Sequence, residues 1–322
     1  MIFDAVIVGG GPSGSTCAWK LVQAGLTCLV LDKAVFPRTK LCAGWITPAV
    51  VEDLEIDIGA YPHRLLTFDR IHFRFPLIGF KPSTVQHSIR RYEFDAWLLA
   101  RAGAEVRQHN VRSIRQQGGL YIIDDTYRGK YLIGAGGTRC PVYRSLFKAR
   151  SPRAKALQAV TLEVEFPYYY DDDSCHLWFF EHGLPGYSWY VPKADGYLNV
   201  GLGAMAARLK NRGEDIRSHW LQFTDKLRRI GIVKDRPPDP KGYSYFIRGE
   251  EHPMRIDNAF ILGDAAGLAT RDLCEGIGPA VRSGLIAADC IVNGQSYRLD
   301  QIDGYSGSSW LGRKLFEYGL HH

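Results

Sequence analysis

The chain has 322 residues, 46% of them hydrophobic and 23% charged, which is enough length for two packed units and excludes disorder as the main state. Forty lysines and arginines against 34 acids leave a net charge of +6, too evenly mixed to indicate a nucleic-acid partner but compatible with an anionic substrate or a membrane surface. Glycine, at 34 residues, exceeds the roughly 7% average without a collagen-like period, so close backbone turns are expected.

The opening stretch lacks a basic segment and meets Asp4, so it does not read as a signal peptide. No apolar run reaches the ~18 residues that span a bilayer, so any membrane contact is expected to be peripheral. An apolar strand, Ala5 to Val8, a glycine turn, a helix from about Gly14 to Ala24 and a strand, Cys28 to Leu31, begin a parallel α/β sheet. Pro48 opens a short helix. From about Phe68 the alternation of Ile71, Phe73 and Phe75 marks a half-buried antiparallel strand. A helix follows near Tyr92 to Ala102, then strands between Val106 and Ile123, and an apolar strand, Tyr131 to Ile133, that runs into Gly134 to Gly137.

From about Arg153 alternating aromatic strands take over: Val160 to Phe166, His176 to Glu181, Tyr187 to Val191 and Leu198 to Leu202, with Tyr168 to Asp173 as a polar hairpin end. Ile216, Trp220, Phe223, Leu227 and Ile230 fall at helical spacing and predict a helix that covers a core. Arg236 to Lys241 reads as a proline-rich loop. A last parallel strand, Ala259 to Leu262, leads to a glycine turn and a helix from about Gly276 to Val292. The seven cysteines are odd in number and form no CxxC pair, which argues for a reducing cytoplasm and against a disulfide framework or zinc cluster. The histidines show no ligand spacing, and no metal is expected.

Gly9, Gly11 and Gly14 form GxGxxG between the first strand and helix, with Pro12 and Ser13 inside it. The first glycine permits the turn, the second lets backbone approach a pyrophosphate, and the third allows close helix packing. Asp32, followed by Lys33, closes the next strand where a carboxylate can accept ribose hydroxyls. Near the end, Gly263-Asp264-Ala265-Ala266-Gly267 sets another carboxylate at a strand end. Gly276 and Ile277 open a helix whose N–H groups can face negative charge.

GxGxxG at the start with GDAAG near the end resembles the flavoprotein family of aromatic hydroxylases, flavin-dependent halogenases and geranylgeranyl reductases. Phe36 to Gly44 (FPRTKLCAG), Arg91 to Asp95 (RYEFD), Pro185 to Lys193 (PGYSWYVPK) and Asn199 to Gly203 are similar to ordered elements of the geranylgeranyl reductase group. The resemblance implies an α/β fold: a Rossmann-type FAD-binding domain (1–68, 88–152 and 250–298), an inserted antiparallel-sheet substrate domain (69–87 and 153–249), and a short C-terminal helix or tail (299–322). It also implies FAD as cofactor, with Arg38, Cys42, Ala43, Gly44, Arg91, Ala135 and Gly136 joining the glycine-turn residues at its site. The matching cysteine of the group lies close to the flavin ring, which makes Cys42 the candidate proton donor, with Tyr187 and Trp189 shaping an aromatic cavity.

Three departures bear on that expectation. Gly136 stands where the group has an Asp, Val191 where it has a Phe, and the chain ends soon after the last helix, which reads as a more open site or a different substrate. The activity implied is reduction of carbon–carbon double bonds in a hydrophobic, isoprenoid-like substrate, with NAD(P)H or a reduced carrier protein as electron donor. A hydroxylase or, less readily, a halogenase is the alternative, since Tyr187 to Pro192 also approaches the WxWxIP element of halogenases. A flavin-binding electron carrier is the third. The basic run from Arg139 to Lys155 reads mainly as a solvated face, with phospholipid headgroups or a polyphosphate as its other readings.

Overall fold

The computed structural model describes residues 1–249 and 253–306. Most of the expected C-terminal tail, including His321 and His322, lies outside them. The chain separates into two compact units.

The first unit comprises Met1–Arg38, Tyr92–Ala154 and Tyr245–Ser306. Its sheet runs in the order Arg255–Ile256, Ala259–Ile261, Tyr127–Gly134, Ile2–Val8, Cys28–Asp32, Glu105–Gln108. The four pairings from Ala259–Ile261 to Glu105–Gln108 are parallel. Alternation sorts its side chains into two cores: Ala5, Ile7, Val30 and Ile133 face one side, and Val6, Val8, Leu29, Leu31 and Leu132 the other. Burial on both faces is why these strands read as unbroken apolar runs. Helices Pro12–Gln23 and Ile277–Asn293 pack so closely that a Cβ on Gly284 would lie 2.6 Å from the Ser13 carbonyl oxygen.

The second unit contains Thr39–Arg91 and Lys155–Ser244 among the described residues. From Gln158–Pro167 its strands follow the order Tyr197–Met205, Gly186–Lys193, Cys175–Phe179, Leu66–Arg74, Ser83–Ser88, Trp45–Ile46, with Gly79–Phe80 hairpinned onto Leu66–Arg74. All neighbours in that order are antiparallel except Cys175–Phe179 and Leu66–Arg74, which run parallel. The chain leaves the sheet after the Ser83–Ser88 strand and re-enters it only at Gln158, so this pair is not joined by a hairpin. One face carries Leu162, Trp178, Tyr190, Leu198, Val200 and Leu202 against Trp220, Phe223 and Leu227 of the helix Ile216–Arg229, the core-covering role its spacing predicted.

Two features differ from the sequence reading. Residues 39–68, expected with the first unit, group with the second because Trp45–Ile46 pairs with Ser83–Ser88. The loop expected to end at Lys241 gives way there to a strand, Lys241–Phe246, whose alternating Tyr243 and Tyr245 carried the period-two signal.

Candidate functional site

In the first unit, Gly9 has φ +113°, and a Cβ there would lie 2.4 Å from the Ala135 carbonyl oxygen; one on Gly14 would lie 1.9 Å from the Gly9 oxygen. Both glycines are therefore required by the turn itself. Gly11 is different, because a Cβ there meets nothing nearer than Arg38 Nη2 at 3.4 Å. The chain does not need glycine at Gly11 for its own packing, so its bare backbone is left for a ligand to approach. Gly11 is also the N-cap of the helix Pro12–Gln23 and no side chain caps it, as none caps the helix Ile277–Asn293 at Gly276. Uncapped N–H groups of this kind are acceptors' natural partners, and phosphate oxygens satisfy them.

Asp32 accepts the Gly10 N–H at 2.8 Å through Oδ2 and the Ala34 N–H at 2.9 Å through Oδ1. The two bonds fix the carboxylate and leave each oxygen a lone pair for a ribose hydroxyl. The Gly263 turn joins the same locality: its N–H donates to Ser283 Oγ at 3.0 Å, a Cβ on Gly263 would lie 3.2 Å from Ser13 Oγ, and one on Gly276 would lie 3.4 Å from Asp264 Oδ1. Gly9, Gly11, Pro12, Ser13, Gly14, Asp32, Ala135, Gly263, Asp264, Gly276 and Ile277 thus gather around one glycine turn, and their chemistry fits a dinucleotide. Gly136 N-caps a short turn, Gly137–Arg139, and Lys33 follows Asp32 at the strand end.

Arg38 is committed in part to the protein. Its Nη2 lies 3.2 Å from Oδ2 of Asp95, which is fully buried, and its guanidinium stacks 4.6 Å over the Phe36 ring. Asp95, the last residue of RYEFD, was not singled out in the sequence; its ion pair with Arg38 links two elements that the resemblance had treated separately. The basic run is also only partly a solvated face. Arg153 donates to the carbonyls of Thr138 at 2.7 Å and Ala265 at 2.5 Å and stacks over Tyr143, whereas Arg139, Arg144, Lys148, Arg150 and Lys155 are exposed.

Cys42, Ala43, Gly44, Arg91, Tyr187 and Trp189 belong to the second unit. Strand register puts Thr161 and Glu163, Asn199, Gly201 and Gly203, Tyr187, Trp189, Val191 and Lys193, and Leu177 and Phe179 on one face, opposite the helix-covered core. Gly201 lies directly across from Trp189 and makes room for it, since a Cβ there would fall 2.3 Å from the indole.

The Cys42 loop is strapped to this face. Asn199 donates from Nδ2 to the Cys42 carbonyl at 3.3 Å, and Lys193 donates from Nζ to the Ala43 carbonyl and, at 3.4 Å, to that of Gly44. Three successive carbonyls are thereby held by two buried side chains. Gly44 has φ +70°, and a Cβ on it would lie 2.3 Å from the Ile89 oxygen and 2.7 Å from Lys193 Nζ. The loop can therefore approach the lysine only with glycine at that position. The Cys42 thiol, half-buried, accepts the Gly44 N–H at 3.3 Å.

Beside the strap sits Glu163, 2% exposed, whose Oε2 is 3.5 Å from Asn199 Nδ2. Burial pushes its carboxyl up to about 7, with Lys40, Asn199 and Lys193 pulling the other way. Burial likewise pulls Lys193 down to about 8, opposed by Glu165, Cys42, Cys175 and Glu163. Glu163 and Lys193 escaped the sequence reading. Lys193 continues the alternation of Tyr187, Trp189 and Val191, and this was the available signal. Among the described residues, no group of three or more His, Cys, Asp and Glu forms a metal site, and no helix is long and apolar enough to cross a membrane.

The NAD(P)-binding Rossmann-like domain family matches residues 7–72. An uncharacterized protein of Methanosarcina barkeri is 30% identical over 302 residues, covering 90% of this chain and 74% of that protein. Menaquinone reductase of Mycobacterium tuberculosis is 27% identical over 315 residues (89% of this chain, 76% of the relative). Geranylgeranyl diphosphate reductase of Rhodobacter capsulatus is 27% identical over 312 residues (90% and 75%). Among solved structures, a geranylgeranyl bacteriochlorophyll reductase-like protein from Thermoplasma acidophilum superposes with TM-score 0.77 at 20% identity, covering 98% of this chain and 83% of that one. A myxobacterial chondrochloren halogenase, one of the FAD-dependent halogenases, gives 0.73 at 18% identity, covering 93% and 78%. These two likenesses show the shared fold.

Proposed function

We propose, for a chain that belongs to the geranylgeranyl reductase-like family of FAD-dependent oxidoreductases, that its reaction is the reduction of a carbon–carbon double bond in an apolar, isoprenoid-like substrate. The observation that carries the reading is the strapped Cys42 loop beside the aromatic face: a half-buried thiol whose own and next two carbonyls are held by Asn199 and Lys193. The names of the Rhodobacter and Mycobacterium relatives, a geranylgeranyl diphosphate reductase and a menaquinone reductase, support the substrate class.

FAD, when bound, supplies the hydride that one alkene carbon receives. The protein's part is position, dryness and the proton. Gly11 and the two uncapped helix starts hold phosphate and other negative charge, and Asp32 and Asp264 hold hydroxyl groups. Tyr187 and Trp189 form an apolar wall that orients a flat or branched hydrocarbon. Cys42 gives its S–H proton to the second alkene carbon and is re-protonated from solvent, so that one hydride and one proton convert C=C to CH–CH. Lys193 and Asn199 act through the loop as positioning residues. The electron donor is NAD(P)H or a reduced carrier protein.

The test is anaerobic. Holoprotein reduced with dithionite is mixed with a geranylgeranyl compound or an isoprenoid quinone, and flavin absorbance at its oxidised band is followed. Reoxidation with a saturated product is expected. No reoxidation by either acceptor, or substrate-stimulated oxygen uptake with an oxygenated product, overturns the reading, the latter in favour of a monooxygenase.

A further inference from the structure

The aromatic face does not end at Tyr187. Ring centroids continue from Trp189 to Tyr187 (5.7 Å), Tyr187 to Phe179 (5.1 Å), Phe179 to Phe75 (4.8 Å) and Phe73 (5.8 Å), and Phe73 to Phe80 (5.3 Å, rings within 2° of parallel). Register explains the row: Leu177 pairs with both Trp189 and Phe73, and Phe73 pairs with Phe80, so Phe73, Phe75, Ile78 and Phe80 lie on the face that carries Trp189. The row leads from the buried Cys42 strap to the tip of the hairpin formed by Leu66–Arg74 and Gly79–Phe80.

That tip is apolar and bare. Phe75 N–H donates to the Ile78 oxygen at 2.7 Å, which leaves Pro76 and Leu77 at the apex. Leu77 is 100% exposed, Ile78 65%, Phe80 48%, and Val85 on the next strand 53%. Scattered exposed apolar residues need no explanation, but three on one hairpin and a fourth on the next strand, all within nine positions, form a patch of the kind that marks an interaction surface. The rim is net cationic: Arg70, Arg74 and Lys81 are exposed against a single neighbouring acid, the exposed Asp69, and no further acid occurs from Arg70 to Tyr92. An apolar tip with a predominantly basic collar matches the two layers of an anionic bilayer, acyl chains beneath and phosphate above.

We propose that the 75–81 hairpin tip docks on an anionic membrane surface, with Leu77, Ile78 and Phe80 in the acyl boundary and Arg70, Arg74 and Lys81 among the lipid phosphates. The docked tip puts the outer end of the aromatic row, Phe80 and Phe73, against the bilayer, where an apolar chain in the lipid first meets the face that carries Trp189. That meeting rests on the apolar-substrate reading; the docking does not.

The experiment uses the flavin-loaded full chain and sedimentation with vesicles of phosphatidylcholine alone or mixed with phosphatidylglycerol. Wild-type protein is expected in the pellet only with the anionic vesicles. Leu77→Asp, at a fully exposed position that no core contact depends on, is expected to lower the partition at least tenfold with an unchanged flavin spectrum and melting temperature. Lys81→Gln is expected to lower it about fivefold, and added salt to do the same for wild type, in keeping with roughly 1 kcal/mol for each cation near such a surface. Equal sedimentation of wild type and Leu77→Asp overturns the proposal. So does absence of wild-type binding, including the case in which Leu77→Asp abolishes a self-association seen without lipid. Loss of reoxidation by isoprenoids with vesicle binding intact would instead count against the reaction alone.

Discussion

The indole N–H of Trp189 donates to Asn199 Oδ1 at 2.7 Å, and this bond sets the amide so that Nδ2 turns to the Cys42 carbonyl and Glu163. One side chain therefore orients both the aromatic wall and the thiol loop. Asn199→Leu, with the same branching and heavy-atom count, strips the partner from the Trp189 N–H, the Cys42 carbonyl and Glu163, at about 1–3 kcal/mol for each such group that is left unpaired. A loss of at least about 3 kcal/mol in urea unfolding is expected, with turnover falling further than flavin content. Wild-type stability in this variant would show that the amide anchors nothing.

Glu163 makes stability depend on pH in a stated direction. Its carboxyl ionises at about 7 in the folded protein against 4.5 ordinarily, so the native state holds a proton that the unfolded chain has lost. Stability contributed by this group is full below the unfolded value, declines as pH rises through that interval and is level above it. Glu163→Gln removes the decline. It is expected to match wild type at acid pH and to exceed it above neutrality by up to about 3 kcal/mol, the free-energy equivalent of the shift. Urea midpoints measured across that range check it; parallel curves for the two proteins would contradict it.

The difference between what the sequence showed and what it hid follows from the kind of signal each residue carries. Gly9, Gly14 and Asp32 fall at fixed spacing in one strand–turn–helix–strand stretch, because a dinucleotide turn is local in sequence; Asp264 showed through its own glycine turn after a strand, and the first sheet's apolar runs announced their two-sided burial. Tyr187 and Trp189 alternate visibly along one strand. Glu163 does not stand out, since a charged residue on the polar side of an alternating strand reads as solvent-facing, and Lys193, although it continues the aromatic alternation, comes last in its strand, where a lysine reads as the step into solvent. Burial comes from the Cys42 loop and the neighbouring strands, which are distant in sequence: Lys193 is separated from Ala43 by 150 positions. The grouping of 39–68 failed to show for the same reason, as its two-residue strand Trp45–Ile46 is too short to declare a partner.

Lys193 tests whether loop position controls the thiol. Lys193→Met keeps the stem and removes the donor to the Ala43 and Gly44 carbonyls, so the Cys42 loop is freed while the aromatic face remains. Cys17, Cys28, Cys140, Cys175 and Cys290 are buried, and burial pushes the Cys274 thiol up to about 12, which leaves Cys42 as the thiol that reports at neutral pH. Alkylation of one thiol by iodoacetamide is expected to speed up several-fold in Lys193→Met and to disappear in the double variant with Cys42→Ser. An unchanged rate would mean that Asn199 alone holds the loop.

Two neighbouring glycines separate cofactor binding from folding. A methyl at Gly14 would fall 1.9 Å from the Gly9 oxygen, whereas one at Gly11 would have no neighbour nearer than 3.4 Å. Gly14→Ala must move backbone on the buried side of the turn, so it is expected to unfold several kcal/mol more easily, about the range of overpacked cores. Gly11→Ala fits the protein, and its cost falls on the ligand, because the methyl occupies the surface that phosphate oxygens approach beside an uncapped helix start. The expected result is near-wild-type urea stability of the flavin-free protein with flavin affinity lowered at least tenfold, measured by fluorescence quenching on titration with FAD. Equal affinity in Gly11→Ala and wild type would place the pyrophosphate away from this turn.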